Sequence, residues 1–123
     1  YKYDSRQTGI RVHADFAAVN VNFWITPDSA NLNPSNGGLV VYKEKAPPNW
    51  SYNLYNSDTD EGSIRIQKFL SEHNSQKMVV PYAENRAVIF NSSLFHETDE
   101  FEFKPGYENR RINITMLFGQ RQK

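Results

Sequence analysis

The chain of 123 residues contains no cysteine. Disulfide bonds, thiolate catalysis and cysteine-ligated zinc or iron–sulfur sites are therefore excluded. Any transition metal must be bound by histidine and carboxylate side chains, and the histidines of the sequence are His13, His73 and His96. These three histidines are therefore the candidate nitrogen ligands of a metal site.

An excess of charge of one sign and long apolar runs are also lacking. The 14 basic residues balance 14 acidic ones, so we expect no nucleic-acid partner. No apolar stretch has the length of a membrane-spanning helix, so we expect no membrane partner and a cytoplasmic location. A chain of 123 residues has the length of a single domain.

Short strands separated by turn-forming residues dominate the predicted secondary structure. Residues 16–26 alternate with a period of two, and aromatic residues, which favour sheets, make up 14% of the chain. The predicted strands are residues 16–26, 39–42, 77–81, 87–91, 100–103 and 111–118, and one helix is predicted from about residue 60 to residue 72. This pattern indicates a mainly β barrel or jelly roll with one short helix.

A metal site is indicated by the segment His13-Ala14-Asp15. On an extended backbone, the side chains of His13 and Asp15 project to the same face. With His96 they make a set of two histidines and one carboxylate, which suits non-haem Fe(II) and also binds zinc, manganese or cobalt. Taken singly, His13 and His96 are equally explained as hydrogen-bonded structural histidines, and His73 is predicted to have a structural role at the helix C-terminus.

A second polar feature follows His96, in the segment Arg110-Arg111-Ile112-Asn113-Ile114-Thr115. Strand alternation places Arg111, Asn113 and Thr115 on one face. A guanidinium beside amide and hydroxyl groups is suited to binding a carboxylate. The alternative is a surface arginine pair at the end of a strand, which leaves the polar series along one face unexplained.

The ordered set His13-x-Asp15, His96 and Arg111-x-Asn113 resembles the Fe(II)/2-oxoglutarate-dependent oxygenase superfamily. The segment 87–96 is similar to the strand and turn that carry the second iron-binding histidine of that family. Segments 22–27 and 37–39 are similar to the strand, loop and strand that follow its His-x-Asp motif. The resemblance covers nearly the whole chain.

The resemblance implies a double-stranded β-helix, a cupin-like jelly roll, with residues 1–123 forming one oxygenase core domain from the C-terminal part of a longer protein. It implies that His13, Asp15 and His96 bind Fe(II), and that Arg111, with Asn113, holds the distal carboxylate of 2-oxoglutarate. The strand also directs Asn22, like Asn20 and Trp24, towards the co-substrate, although core packing is an alternative for Trp24. The implied activity is that of a dioxygenase that hydroxylates a small-molecule or peptide substrate with release of succinate and CO2.

Two departures from the family pattern generate expectations of their own. Only twelve residues precede His13, so we expect a homodimer or a missing N-terminal region to cover the apolar sheet face of Val19, Val21, Ile112 and Ile114. The Arg-x-Asn-x-Thr pattern is similar to the branch that repairs alkylated nucleic acids, but no basic groove accompanies it.

Two other functions and one local ambiguity remain open at the level of sequence. The other functions are a non-catalytic β-helix binding module and a metal-dependent cupin that does not use 2-oxoglutarate; Arg111 argues against the second. The loop carrying Trp50, Tyr52 and Tyr55 is either a lid over the substrate or a small satellite core.

Overall fold

The computed structural model describes residues 2–3, 6–7 and 10–120. Within that part the secondary structure consists of strands β1 (Lys2–Tyr3), β2 (Arg6–Gln7), β3 (Val19–Trp24), β4 (Leu39–Lys45), β5 (Lys77–Val80), β6 (Ala87–Asn91), β7 (Leu94–Thr98), β8 (Phe101–Glu102) and β9 (Arg111–Phe118), helices α1 (Tyr52–Tyr55) and α2 (Asp60–Glu72), and short 3-10 turns at Asp28–Ala30 and Tyr107–Asn109. The mainly β class predicted from the sequence is confirmed. No helix among the described residues has both the length and the apolar character needed to cross a membrane.

The strands form two antiparallel sheets and a small additional pair. The larger sheet has the order β1-β9-β3-β6 and the smaller one the order β5-β4-β7, while β2 pairs with β8. In the larger sheet, Asn20 of β3 lies between Phe90 of β6 and Leu117 of β9, and Asn22 lies between Val88 and Thr115. This register fixes which polar side chains are neighbours across the sheet.

The two faces of the larger sheet have an unusual distribution of polarity. On β3 the side chains of Asn20, Asn22 and Trp24 are buried, whereas Val19 on the opposite face is 37% exposed. A sheet with one solvated face normally turns its apolar side chains inward. Here the amide-bearing face is the inner one, which indicates that the interior contains a polar cavity.

Two apolar clusters make up the core of the described part of the chain. One consists of Trp24, Ala30, Leu39, Tyr82, Phe101 and Phe103. The other consists of Val12, Ala14, Ala46, Tyr55, Ile66, Leu70 and Phe95, so it includes both chain neighbours of His13 and the residue before His96. The apolar chain neighbours of His13 and His96 therefore anchor the two segments that carry these histidines.

Helix α2 begins and ends as its sequence predicts. The hydroxyl oxygen of Thr59 accepts a hydrogen bond from the backbone N–H of Gly62 at 3.0 Å, which satisfies one of the open donors of the first turn. Ile66 and Leu70 are buried against the second cluster. His73 follows the last turn, its Nδ1 lying 2.8 Å from the carbonyl oxygen of Phe69, so its role in this structure is structural.

The aromatic loop before α2 forms a satellite core rather than a lid. Trp50 packs on Phe69 and Phe95, with ring centroids 5.3 and 6.2 Å away. Tyr55 is buried, and only Tyr52 of the three aromatic residues is exposed. The single turn of α1 within this loop was not predicted, because a four-residue helix without a capping side chain leaves no periodic pattern.

The apolar outer face of the larger sheet is not covered by the described part of the chain. Ile89 is 69% exposed and Ile114 45% exposed, while Val21 and Ile112 are half-buried. Contiguous apolar surface of this kind is typical of an interface. The partner expected on this face stays a prediction.

Gly38 packs too closely against the segment after β5 to be replaced by a larger residue. A Cβ atom at this position would lie 1.8 Å from the carbonyl oxygen of Val80 and 2.9 Å from the backbone nitrogen of Tyr82. Gly38→Ala should therefore lower the free energy of unfolding by roughly 2–4 kcal/mol, because backbone must move to admit the methyl group. Urea denaturation measures the loss, and exposed Ser35→Ala is the control. A change of less than about 0.5 kcal/mol, the range of an ordinary surface substitution, would contradict this close packing.

Candidate metal centre

Backbone hydrogen bonds hold the segment His13-Ala14-Asp15 in an extended form. His13 and His96 exchange both of their backbone bonds, with N···O distances of 3.0 and 2.8 Å. The backbone N–H of Ala14 donates to the carbonyl oxygen of Tyr55, and that of Asp15 donates to the carbonyl oxygen of Ser92. Because the segment is extended, Ala14 points into the apolar cluster while His13 and Asp15 point the other way.

The side chains of His13, Asp15 and His96 converge. One ligand atom from each of the three lies within 4.8 Å of the others. Among the described residues, His73 belongs to no such group. The His13 Nε2 is 3.7 Å from Asp15 Oδ1, and the His96 Nε2 is 3.2 Å from Asp15 Oδ2. Two imidazoles and one carboxylate therefore face a common point, as a facial metal site requires.

Both histidines are fixed in the tautomer that binds metal through Nε2. The Nδ1 of His13 lies 2.7 Å from the carbonyl oxygen of Arg11, and the Nδ1 of His96 lies 2.8 Å from that of Leu94. A carbonyl oxygen only accepts, so each Nδ1 must carry a proton. In a neutral imidazole this leaves the lone pair on Nε2, the atom that faces Asp15.

Two amides hold the carboxylate of Asp15. Asn56 Nδ2 donates to Oδ1 at 3.0 Å and also to the carbonyl oxygen of Ala14 at 2.7 Å. Asn20 Nδ2 donates to Oδ2 at 3.4 Å. Burial acts to raise the pKa of Asp15, but two other influences outweigh it, so the pKa is lowered. These are the contacts with His96 and His13, which favour the charged carboxylate when those rings are protonated, and the hydrogen bond from Asn56. Asp15 is therefore ionised at neutral pH.

Arg111 is buried at the other end of the same cavity, with a relative exposure of 1%. Its Nε donates to the carbonyl oxygen of Gly37 at 2.6 Å, and one terminal nitrogen donates to that of Gly38 at 3.2 Å. The guanidinium carbon also lies within 6.0 Å of the ring centroids of Trp24, Tyr82 and Phe101. The conformation of this arginine is thus fixed by its surroundings.

A chain of hydrogen bonds runs from Arg111 along the sheet. Arg111 donates to Asn113 Oδ1 at 2.9 Å, and Trp24 Nε1 donates to Asn22 Oδ1 at 2.7 Å. Because arginine and tryptophan can only donate, both amides must turn their NH2 groups towards Thr115, which lies 3.1 Å from each. The Thr115 oxygen accepts both bonds, so its own O–H points away from the two amides.

A single cavity of about 70 Å³ joins the two ends of this constellation. It is lined by His13, Asp15, Asn20, Asn22, His96, Arg111, Asn113 and Thr115 together with Ile10, Leu39, Thr98 and Leu117. Along the inner face of β9 the exposure rises from 1% at Arg111 to 50% at Leu117. The cavity therefore has a closed end at Arg111 and an open end at Leu117.

The structure brings together every site residue predicted from the sequence: His13, Asp15, His96, Arg111, Asn113 and Asn22. Arg110 is not among them; it is half-buried and lies over the ring of Tyr107. Trp24 contributes to the core by stacking on Tyr82. Sequence reasoning missed Asn56, which is 41 residues from Asp15 and carries no sequence signal. The alternation of β9 did place Thr115 on the same face as Arg111, and the structure has it in the cavity.

Neither a protein-family model, nor a curated protein sequence, nor a solved structure matches this chain.

Metal affinity should decline as the pH is lowered from neutrality towards about 5, and the part of the decline that is due to His13 should come at a lower pH than for an ordinary imidazole. Binding requires neutral imidazoles, and burial, together with the charge of His96, lowers the pKa of His13 below the ordinary 6.5. Asp15, whose pKa is lowered as well, stays ionised over this range. Titration with Mn(II) at a series of pH values measures the profile.

His73→Gln is the matched control, because His73 lies outside the cavity. It should leave the affinity unchanged, whereas His13→Gln should lower it by roughly 100-fold or more, since even changes to residues behind a ligand cost about 10- to 100-fold. An affinity that does not decline on acidification, or that falls equally in both variants, would contradict the proposed ligand set.

Proposed function

We propose that this chain is the catalytic core of an Fe(II)- and 2-oxoglutarate-dependent oxygenase with a double-stranded β-helix fold. The observation that carries the proposal is a single cavity with a His-Asp-His ligand group at one part of its wall and a buried arginine at its closed end. Either feature alone is compatible with other functions. Together they provide one site for a metal and one for a carboxylate within the same enclosure.

The ligand set fits Fe(II). His13, Asp15 and His96 would hold the ion through two Nε2 atoms and one carboxylate oxygen, which leaves coordination positions open for other molecules. Iron bound there would supply the redox chemistry that activates dioxygen. The histidine tautomers are already set by the carbonyl oxygens of Arg11 and Leu94, so binding requires no rearrangement of either ring.

The other end of the cavity fits a carboxylate. Arg111 would hold the distal carboxylate of 2-oxoglutarate, because a buried guanidinium with its conformation fixed offers directed N–H groups. Thr115 supports this assignment, since its O–H points away from the amides of Asn22 and Asn113. We infer that these two asparagines act on the co-substrate mainly by orienting Thr115 and Arg111.

The chain's own residues would position the reactants and exclude water. The rings of Trp24, Tyr82 and Phe101 close the arginine end, so the carboxylate pair forms in a medium of low polarity. The open end at Leu117 would admit a small-molecule or peptide substrate beside the metal. The overall reaction would consume dioxygen and 2-oxoglutarate and yield succinate, CO2 and a hydroxylated substrate.

The test of this proposal is succinate formation when Fe(II), dioxygen and 2-oxoglutarate are added to the protein. A metal-dependent cupin that does not use 2-oxoglutarate would bind the metal without forming succinate. A non-catalytic β-helix module would form no succinate, whether Asp15 is present or replaced. Asp15→Asn keeps the shape of the side chain but removes its charge, so loss of succinate in this variant ties the activity to the proposed site.

We also propose that a second copy of the chain, or an N-terminal region, covers the outer face of the larger sheet. Support comes from the exposure of Ile89 and Ile114, which lie on that face. Sedimentation velocity over a range of protein concentrations tests the second-copy alternative. A cytoplasmic location is part of the proposal, and fractionation of cells that express the protein tests it.

Arg111→Ala should weaken 2-oxoglutarate binding by roughly 100-fold or more while leaving Mn(II) affinity nearly unchanged. Removing one partner of a buried arginine–carboxylate pair costs on the order of 3–5 kcal/mol. Binding is measured with Mn(II) in place of iron, which prevents turnover. Arg111→Lys should restore little of the affinity, because an ammonium group lacks the fork geometry.

Arg110→Ala is the matched control for this prediction. Arg110 precedes β9, lies over the ring of Tyr107 and does not line the cavity. Its effect should be no more than a few-fold. Thermal melting of each variant checks that the fold is retained. Equal losses in both variants, or no loss in a folded Arg111 variant, would contradict the assignment of the carboxylate site.

A further inference from the structure

Asn20 is a buried cavity residue with a hydrogen-bond partner for the nitrogen of its amide but none, among the described residues, for the oxygen. Its relative exposure is 1%, and it lines the cavity beside His13, Asp15 and His96. On the sheet it lies opposite Leu117, at the open end, and therefore far along the strand from Arg111. Its position is thus on the side where molecules other than the co-substrate would approach the metal.

The orientation of the Asn20 amide follows from its contact with Asp15. A carboxylate oxygen accepts hydrogen bonds, so the contact with Asp15 Oδ2 at 3.4 Å turns the NH2 group of Asn20 towards Asp15. The Oδ1 atom then lies on the other side of the amide. Among the residues that the structure describes, none donates a hydrogen bond to it.

A buried acceptor of this kind calls for a donor, and its neighbours in the sheet provide none. Leu117 and Phe90, directly opposite on the two adjacent strands, are apolar. The NH2 group of Asn22 is turned to Thr115. Buried polar atoms in proteins nearly always have a partner. With none among the described residues, the Asn20 oxygen indicates a donor on a molecule bound in the cavity.

We propose that Oδ1 of Asn20 accepts a hydrogen bond from a water molecule bound to the metal. A metal held by three protein ligands completes its coordination with water, and a metal ion makes that water a strong donor. Because Asn20 contacts Asp15, one of the three residues that would hold the ion, its other amide atom would lie on the same side of the cavity as a water molecule on that ion. Asn20 is then a positioning residue that links Asp15 to the open side of the metal, an inference that rests on the metal site proposed above.

Asn56 provides a matched comparison. It contacts the same carboxylate through the other oxygen, Oδ1, but does not line the cavity. Loss of either amide should loosen Asp15 and weaken Mn(II) binding by roughly tenfold. Only loss of Asn20 should change the behaviour of the metal-bound water.

The experiment measures water-proton relaxation of the protein loaded with Mn(II) alone, which gives the residence time of the metal-bound water. Asn20→Leu should shorten that residence time by on the order of tenfold relative to wild type. Asn56→Leu should leave it unchanged per bound ion. Asn20→Gln keeps both the amide donor and the acceptor oxygen and should retain more of the slow exchange than Asn20→Leu does. Thermal melting of each variant separates a lost hydrogen bond from a poorly folded protein.

Equal residence times in Asn20→Leu and wild type would overturn the inference while leaving the metal site in place. The same holds if Asn56→Leu shortens the residence time as much as Asn20→Leu does, because a general loosening of Asp15 would then explain both. Failure of wild-type protein to bind Mn(II) would remove the metal site and the inference together. If Mn(II) binds with the expected water behaviour but 2-oxoglutarate does not bind, the oxygenase proposal fails and the role of Asn20 stands.

Discussion

Burying the guanidinium of Arg111 is the constraint on which the arrangement of the cavity depends. A charged group removed from water is costly unless its N–H groups are hydrogen-bonded. The carbonyl oxygens of Gly37 and Gly38 and three aromatic rings reduce that cost. In turn, Arg111 orients Asn113, because it can only donate. A single cation thereby sets the direction of the hydrogen bond from Asn113 to Thr115, while Trp24 sets that of the bond from Asn22.

The histidines at the other end of the cavity are oriented by backbone groups and not by a charged side chain. Here backbone carbonyl groups do the orienting, since those of Arg11 and Leu94 fix the protonated nitrogen of each histidine. Both carbonyls belong to residues two positions before the histidine, so the extended backbone itself supplies the partner. The reciprocal backbone bonds between His13 and His96 then hold the two rings at a centroid distance of 4.4 Å. A ligand geometry that depends on strand pairing needs few additional side chains to support it.

Sequence reasoning predicted the elements that carry a regular pattern and missed those that depend on distant contacts. The limits of α2 and β9 are as predicted, because each has a continuous periodicity. The first of the predicted strands was expected over residues 16–26 but spans Val19–Trp24, because the pairing with β6 and β9 is confined to these residues. Asn56 could not be found, because its contact with Asp15 exists only after the chain has folded around α1.

The inverted polarity of the larger sheet connects the cavity with the uncovered surface. Alternation allows a strand only two faces, so a strand that gives Asn20 and Asn22 to the interior must turn Val19 and Val21 outwards. The polar lining of the site and the apolar outer face are thus one feature of the sequence seen from two sides. A further layer packed on Ile89 and its neighbours would bury this apolar surface and remove water from behind the sheet. It would also lower the polarity around Arg111, and the attraction between that cation and a bound carboxylate would become stronger.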